Sequence, residues 1–334
     1  MMHTVFPEED SAVGDAGVGS HAFFLESQQA VFGMGWLPDL PDFRDYTAEH
    51  EEVRPLLEKA PTVAEQPAAR LIAQPEAAVL PASADLSRWF AAVENQGNLG
   101  SCTANAGVAV VEYFQRKAFG RHIDGSRLFL YKATRDLLGW TGDTGAYLRT
   151  TMEALATFGV PPEDYWPYSV SEFDREPPAF CFAFAQNYQA EKYYRLDGAN
   201  TDRPTLLDRI KTSIAAGLPS MFGFTVFSSI SQAAGTGKIP FPTPGEKTLG
   251  GHAIVAVGYD DGMRIQNTDP SGTESEGALK IRNSWGSSWG EQGYGWLPYE
   301  YVRQGVASDW WVLVKAEWLD TSLFQETQAA VTPG

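Results

Sequence analysis

A cysteine, a histidine and an asparagine in this chain could together carry out one covalent reaction. Cys102 stands just before residues whose helical spacing, from Ala104 through Val108 to Val111, predicts that it lies in the first turn of a helix. The free backbone N–H groups and the dipole at a helix start stabilise an anion, and thereby lower the pKa of a thiol from about 8.5. A lone cysteine is more often a buried, unreactive side chain, so the rest of the sequence has to supply a base.

The histidine and the asparagine lie at the ends of predicted strands. His252 follows two glycines and opens an apolar run, 253–259, which is rich in β-branched residues and therefore predicts a buried strand. Asn283 follows a second strand-like run and precedes Ser-Trp-Gly. Taken singly, a strand-starting histidine and a turn rich in Gly and Trp each have a structural explanation. Their order after Cys102 favours nucleophilic catalysis, in which an imidazole accepts the thiol proton.

Three segments of the chain resemble the papain and cathepsin family of cysteine peptidases. Residues 96–104 are Gln-Gly-Asn-Leu-Gly-Ser-Cys-Thr-Ala, residues 250–259 are Gly-Gly-His-Ala-Ile-Val-Ala-Val-Gly-Tyr, and residues 283–295 are Asn-Ser-Trp-Gly-Ser-Ser-Trp-Gly-Glu-Gln-Gly-Tyr-Gly. The family carries its nucleophile, its histidine and its asparagine in motifs of this form. The resemblance extends over about residues 80–313, roughly seven tenths of the chain.

The resemblance implies a role for each key residue of these motifs. Cys102 would be the nucleophile, His252 the base and later the acid, and Asn283 the group that orients the imidazole. Gln96 would donate to the oxyanion, and Trp285 would shield the bond between His252 and Asn283 from water. In this family the histidine and the asparagine follow the cysteine by about 130–150 residues, and Asn283 lies farther away than that. We interpret the polar stretch 260–277 as an inserted hairpin loop that accounts for the difference.

Two positions near the cysteine depart from the family pattern. Leu99 stands where plant and animal enzymes have a disulfide-bonded cysteine, and Thr103 stands where they usually have tryptophan. Cys181 is the one other cysteine of the chain, and its aromatic neighbours predict a buried, inert thiol. The chain is therefore similar to the disulfide-free bacterial branch of the family, and no oxidising compartment is required.

The substrate-binding residues are implied by the family's way of holding an extended peptide beside a glycine-rich loop. Gly145 and Ala146 match that loop, although the same residues could also cap the helix that follows. Gly251 stands where the family lines its specificity pocket, and Trp285 lies beside the site. Because no carboxylate occupies position 251, we expect an apolar or aromatic preference, and endopeptidase activity is the default expectation.

The implied fold is α+β, with two papain-like lobes facing each other across a cleft. A helical lobe, about 95–187, would carry the nucleophile, and a β-barrel-like lobe, about 188–315, would carry His252 and Asn283. Together they form a predicted peptidase domain, 80–318, followed by a tail, 319–334. Periodicity predicts helices at 128–138, 147–158 and 205–216, and strands at 220–227, 253–259, 279–282 and 310–315.

The first 79 residues differ in composition from the rest of the chain. Residues 1–80 contain 14 acidic and four basic residues, and the prolines from Pro61 to Pro81 lie among alanines and glutamates, as is typical of a linker. Before that linker, residues 33–46 are similar to a string found upstream of bacterial papain-like domains. We hypothesise that 1–79 is a propeptide-like extension that covers the cleft; the alternative is a solvated acidic tail.

The net charge and the remaining sequence motifs limit which binding partners and cofactors are expected. The formal net charge of −17 argues against nucleic acid and anionic membranes, which leaves polypeptide substrates and the chain's own N-terminal segment. The other histidines are scattered, so no metal site and no cofactor are expected. Residues 1–15 have neither a basic nor an apolar region of a signal peptide, which makes the cytoplasm the default location and leaves leaderless export open.

Two other functional classes use similar residues. A thioester-forming transpeptidase or acyltransferase uses the same nucleophile, but its third residue is usually an aspartate rather than an asparagine. A catalytically silent peptide-binding protein on the same scaffold would tolerate loss of the cysteine, histidine or asparagine, and all three are present together with Gln96.

Overall fold

A mainly antiparallel sheet of seven strands packs against a group of helices, and the longest strand lies at the boundary between them. The computed structural model describes residues 21–60, 63, 66–75 and 79–315. In chain order, the strands are β1 His21–Leu25, β2 Ala30–Met34, β3 Trp36–Leu37, β4 Ser83–Asp85, β5 Ala146–Tyr147, β6 Lys192–Arg195, β7 Ser220–Phe227, β8 Thr248–Gln266, β9 Glu274–Arg282, β10 Tyr294–Pro298 and β11 Ala307–Val314. The helices are α1 Arg54–Leu57, α2 Ala68–Ala73, α3 Cys102–Phe119, α4 Arg127–Leu137, α5 Leu148–Thr157, α6 Ala179–Ala185, α7 Arg203–Ala215 and α8 Glu300–Arg303.

The sheet has the strand order β10-β9-β8-β7-β11-β6, and β4 pairs with the middle of β8, at residues 258–260. Strand β7 and the stretch 252–259 of β8 are largely apolar because both of their faces are covered. Helix α3 contacts β8 and carries Cys102 as its first residue. The α+β, two-lobed papain-like architecture that the sequence implies is confirmed.

Small residues allow α3 to be the central helix of its lobe. It is buried along its first fourteen residues, from Cys102 to Gln115. A Cβ added at Gly107 would lie 3.1 Å from the side chains of both Leu130 and Leu155, so α4 and α5 approach its backbone closely. The nucleophile position is therefore held by a helix that has packed partners on several sides.

The hairpin between β8 and β9 differs from the sequence expectation. The stretch 260–277 was expected to be a polar loop, but β8 continues to Gln266 and β9 begins at Glu274. Register shifts after Ala256 and Asp260 twist this extension, and pairs such as Arg264 with Glu276 lie on it. The insertion is thus a longer pair of strands with a short turn rather than a loop.

The described part of the N-terminal region packs against the rest of the chain. Strands β1 and β2 form a hairpin, and β3 pairs with β5 in parallel. The proline- and alanine-rich stretch that composition assigns to a linker contains α2, in which Leu71 and Ile72 are buried, and α1 just before it buries Leu56 and Leu57. A boundary near residue 80 remains a prediction. Over the described residues, no helix is both long and apolar enough to cross a bilayer.

A buried ionic network ties β6 to β11. The Asp197 carboxylate accepts the backbone N–H groups of Asp309 and Trp310, at 2.7 and 2.9 Å, and pairs with Arg195 at 2.9 Å. Arg195 is 1% exposed and also lies 3.4 Å from the carboxylate of Asp309. Asp309 has a backbone φ of 65°, which Asp and Asn tolerate better than most residues. The network therefore holds an unusual bend within β11.

We predict that Asp197→Ala destabilises the protein by about 3–5 kcal/mol, because it leaves a buried guanidinium and two buried amides without their partner. The free energy of unfolding in urea, followed by tryptophan fluorescence, measures the change. Asp202→Asn is the matched control, since Asp202 caps the exposed start of α7 and Asn caps equally well. A loss below about 1 kcal/mol for Asp197→Ala would contradict this account of the network.

Candidate active site

Cys102 begins α3 and is completely buried. The backbone N–H groups of Ala253 and Gly35 interact with its sulfur and favour the thiolate. Burial outweighs them and raises the pKa of the Cys102 thiol to about 11. In this covered state the thiol is therefore protonated at neutral pH.

His252 and Asn283 are joined by a 2.8 Å hydrogen bond between Nε2 and Oδ1. The backbone N–H of Ser284 donates to the same Asn283 oxygen at 2.8 Å, which identifies that atom as an acceptor. The imidazole must therefore donate through Nε2, and its Nδ1 keeps a free lone pair. Nδ1 is buried and has no hydrogen-bond partner among the described residues.

Aromatic rings close this pair off from solvent. Trp285 stacks on the His252 ring, with centroids 4.5 Å apart and planes at 20°. Burial lowers the pKa of His252 to about 4, although the hydrogen bond to Asn283 acts in the opposite direction. The histidine is therefore neutral at pH 7, as the thiol is, and the covered site holds no ion pair between them.

Gln96 is buried and its side-chain amide is fully engaged. Its Nε2 donates to the carbonyl oxygens of Leu99 at 2.7 Å and Gly33 at 3.1 Å, and its Oε1 accepts from the Ser284 hydroxyl. The Trp285 indole also donates to the Gly33 carbonyl, at 3.3 Å. The Gln96 side-chain amide, which the sequence resemblance assigns as an oxyanion donor, thus donates instead to a backbone carbonyl of the N-terminal region.

The N-terminal residues 21–37, which we call the cover segment, run through the cleft. The Gly35 carbonyl accepts the Ala146 N–H at 2.8 Å, and a Cβ added at Gly145 would lie 2.3 Å from that carbonyl oxygen. A Cβ at Gly251 would lie 2.5 Å from the carbonyl oxygen of Trp36. Gly145, Ala146 and Gly251, the expected substrate-binding residues, all line the path of this segment.

The hairpin of the cover segment caps Trp285. The rings of Phe23 and Phe32 lie 5.3 and 5.1 Å from its indole, and Gln28 donates to the backbone carbonyls of Ala234 and Ser288. Trp285 is consequently completely buried, between the hairpin on one side and His252 on the other. Trp285 thus links the His252–Asn283 pair to the cover segment, whose Gly33 carbonyl also accepts from Gln96.

The chain is similar to known proteins in sequence and in fold. Residues 80–310 match the papain family cysteine protease family. The chain belongs to that family. It is 34% identical over 225 residues to an uncharacterized peptidase C1-like protein of Acanthamoeba polyphaga mimivirus, a match that spans 66% of this chain and 68% of the viral protein.

Solved structures of similar proteins include other cysteine proteases. Xylellain, a cysteine protease from Xylella fastidiosa, superposes with a TM-score of 0.66 at 32% identity, over 84% of this chain and 96% of xylellain. The ragweed pollen cysteine protease Amb a 11, in its proform, superposes with a TM-score of 0.55 at 21% identity, over 73% of this chain and 69% of that protein. The second likeness concerns the fold alone. This papain-family chain is a cysteine protease, and therefore a hydrolase.

Both cysteines of this papain-family protease are unbonded, as the disulfide-free resemblance implies. Cys181 is buried on α6 beside aromatic rings, and burial raises the pKa of its thiol. Leu99 is buried next to the cover segment, where its carbonyl accepts from Gln96. The site is thus built without the covalent support of a disulfide.

The residues around Trp36 were not predicted from the sequence. The Trp36 indole Nε1 donates to the Asp309 carboxylate at 3.0 Å, and its ring lies against Gly223 of β7. Position 251 lacks a carboxylate, but Asp309 supplies one nearby from β11. The signal that could have revealed it is a single acidic residue in the apolar run 307–314.

Three carboxylates outside the cleft approach one another within 4.8 Å: Glu94, Asp124 and Glu163. The Arg127 guanidinium pairs with Glu94 at 2.7 Å and with Glu163 at 3.0 Å. Arg127 thus supplies the positive charge that this cluster needs, and the cluster has a structural explanation.

We predict that iodoacetamide alkylates Cys102 of the full chain about 300-fold more slowly at pH 7.5 than in the urea-unfolded chain. A thiol whose pKa is about 11 ionises at this pH far less than a thiol whose pKa is about 8.5, and burial slows the reagent further. Mass spectrometry of the peptide that contains Cys102 measures the rate, with the Cys181 peptide as an internal reference. Native and unfolded rates within tenfold of each other would contradict the protonated, covered thiol.

Proposed function

We propose that this protease is an endopeptidase that hydrolyses peptide bonds through a thioester on Cys102 and is made in a self-covered form. One observation carries the proposal: the stretch 33–36 contacts Gln96, Cys102, Ala146 and Gly251 at once. It offers a carbonyl to Gln96, an amide to Cys102, a carbonyl to Ala146 and a tryptophan to Gly251. An extended peptide therefore fits this cleft, and the one present belongs to the chain itself.

The chemistry begins with proton transfer from the Cys102 thiol to Nδ1 of His252. The sulfur forms a bond to the carbonyl carbon of the substrate, and the carbonyl oxygen becomes an oxyanion. The backbone N–H of Cys102 and Nε2 of Gln96 are the donors to that oxyanion, and removal of one such donor costs about 3 kcal/mol of transition-state stabilisation. Gln96 can make this bond only after the Gly33 carbonyl has left.

Collapse of the tetrahedral intermediate breaks the C–N bond, and His252 gives its proton to the departing amine. The product is a thioester between the substrate's acyl group and Cys102. Water then attacks the thioester carbonyl while His252 accepts a proton from it, and the C–S bond breaks to regenerate the thiol. Asn283 neither gains nor loses a proton. It holds the ring so that Nδ1 remains the basic nitrogen throughout.

The contacts of the cover segment support an unproductive complex. The Gly33 carbonyl accepts from the Gln96 amide, so this donor is not available to an oxyanion while the segment is in place. The cover also keeps water from the thiol and the imidazole, which favours their neutral forms. Displacement of the segment would rehydrate both groups, lower the pKa of Cys102 and raise the pKa of His252. The same event would therefore open the cleft and promote the thiolate–imidazolium pair.

We predict that Gly35→Ala raises peptide hydrolysis by the full chain at least tenfold. A Cβ at this position would lie 2.0 Å from the carbonyl oxygen of Gly100, so the cover segment has to move away. Cleavage of a fluorogenic peptide library measures the rate and maps the sites of cleavage. Gly235→Ala is the matched control, because its added Cβ meets nothing within 4 Å.

The double variant Gly35→Ala, Cys102→Ala assigns the nucleophile, and we expect it to be inactive. Equal hydrolysis by the wild type, Gly35→Ala and Gly235→Ala would contradict the role of the cover. Activity that survives Cys102→Ala would contradict the role of the thiol.

A further inference from the structure

Trp36 fills a flat pocket between β7 and the start of β8. Its side chain is 6% exposed. A Cβ added at Gly223 would lie 1.9 Å from Cε2 of the indole, and one added at Gly251 would lie 2.9 Å from Cε3. Any residue larger than glycine at either wall would thus displace the ring. The pocket has the width and shape of a bicyclic aromatic side chain.

The floor of the pocket is a completely buried carboxylate, that of Asp309. Its Oδ1 accepts the Trp311 indole at 2.7 Å and lies 3.4 Å from the Arg195 guanidinium. The Asp309 Oδ2 accepts the Trp36 indole N–H at 3.0 Å. Among the described residues, the other side-chain hydrogen bond and the ion pair of Asp309 both involve Oδ1. Departure of Trp36 would therefore leave one buried carboxylate oxygen without a donor.

The Asp309 carboxylate is held too firmly to turn away from an empty pocket. Its backbone N–H donates to Asp197, its Oδ1 accepts the Trp311 indole N–H and lies at ion-pair distance from Arg195, and its φ of 65° restricts the chain. A buried acceptor left unpaired is costly, so the pocket favours an occupant that supplies an N–H at the depth of the indole nitrogen. Phenylalanine and leucine cannot supply one.

We propose that this pocket, once Trp36 has left it, binds the tryptophan side chain of a peptide substrate, with Asp309 accepting the indole N–H. The inference rests on the proposed peptidase function, since it names the substrate class of the same cleft. Gly223 and Gly251 leave space for a flat bicyclic ring, and Asp309 favours a ring that carries an N–H donor. In the covered chain, Trp36 takes the place of that substrate side chain.

The first test leaves catalysis aside and uses the full chain with Trp36→Ala, which empties the pocket. We expect indole to bind this variant, as measured by calorimetry, and 1-benzothiophene, which has the same shape but no N–H, to bind at least about tenfold more weakly. Asp309→Asn added to Trp36→Ala should remove that difference. Asn is chosen because it tolerates the positive φ at position 309, and because its side-chain oxygen can still accept the Trp311 indole N–H. Trp140→Ala, which removes a tryptophan elsewhere, should bind no indole.

The second test compares hydrolysis by full-chain Trp36→Ala of peptides that differ at one residue. We expect kcat/KM for a tryptophan peptide to exceed that for the phenylalanine peptide at least about tenfold, and Asp309→Asn to abolish the preference. Equal affinities for indole and 1-benzothiophene, or hydrolysis without a preference for tryptophan over phenylalanine or arginine, would overturn the pocket assignment while leaving the peptidase function intact. Indole binding without hydrolysis of any peptide would instead overturn the proposed function and support the pocket.

Trp36→Phe serves as the second variant if Trp36→Ala does not fold, because it keeps the ring and removes only the N–H. We expect it to weaken the cover and to raise the alkylation rate of Cys102 in the full chain about tenfold. An alkylation rate equal to that of the wild type would overturn the role given to Asp309.

Discussion

The hydrogen bond between His252 and Asn283 is the interaction around which the rest of the site is arranged. It depends on the register of β8 against β9, in which Val255 pairs with Arg282. The chain that continues past β9 therefore brings Asn283 and then Trp285 alongside the start of β8, where His252 lies. A shift of one residue would turn every side chain of the strand to the opposite face. Helix α3 packs on the same strand, so one register positions all three groups relative to the thiol.

Burial then determines the protonation state of the assembled site. A thiol at a helix start beside an imidazole should ionise readily, yet the covered cleft holds both groups neutral because neither is hydrated. The helix start and the imidazole therefore favour a thiolate–imidazolium pair, whereas the cover segment excludes the water that would hydrate these charges. The geometry of the site and its reactivity are thus set by different parts of the chain.

The sequence predicted best what depends on local pattern. The strand Ser220–Phe227 was predicted to the residue, and the helix that begins at Cys102 was recognised from small and apolar residues at helical spacing. The extension of β8 was missed, because its exposed polar residues carry no apolar alternation and its bulges break the period. Contacts between residues far apart in the sequence also could not be predicted. No local signal in β11 shows that Asp309 faces a tryptophan that lies 273 residues earlier in the chain.

The covalent connection that follows the cover segment helps to keep that segment bound in the cleft. Leu40 and Phe43 are 84% and 96% exposed, while on either side of Phe43 the carboxylates of Asp39 and Asp45 pair with Arg149. A tethered ligand acts at an effective concentration in the millimolar range, whereas the same peptide released by a cut would be present only at the concentration of the protein itself. A single break at these exposed residues would turn an intramolecular equilibrium into a bimolecular one and weaken occupancy by orders of magnitude. Every contact within the cleft could remain as it is, and dilution alone would empty it.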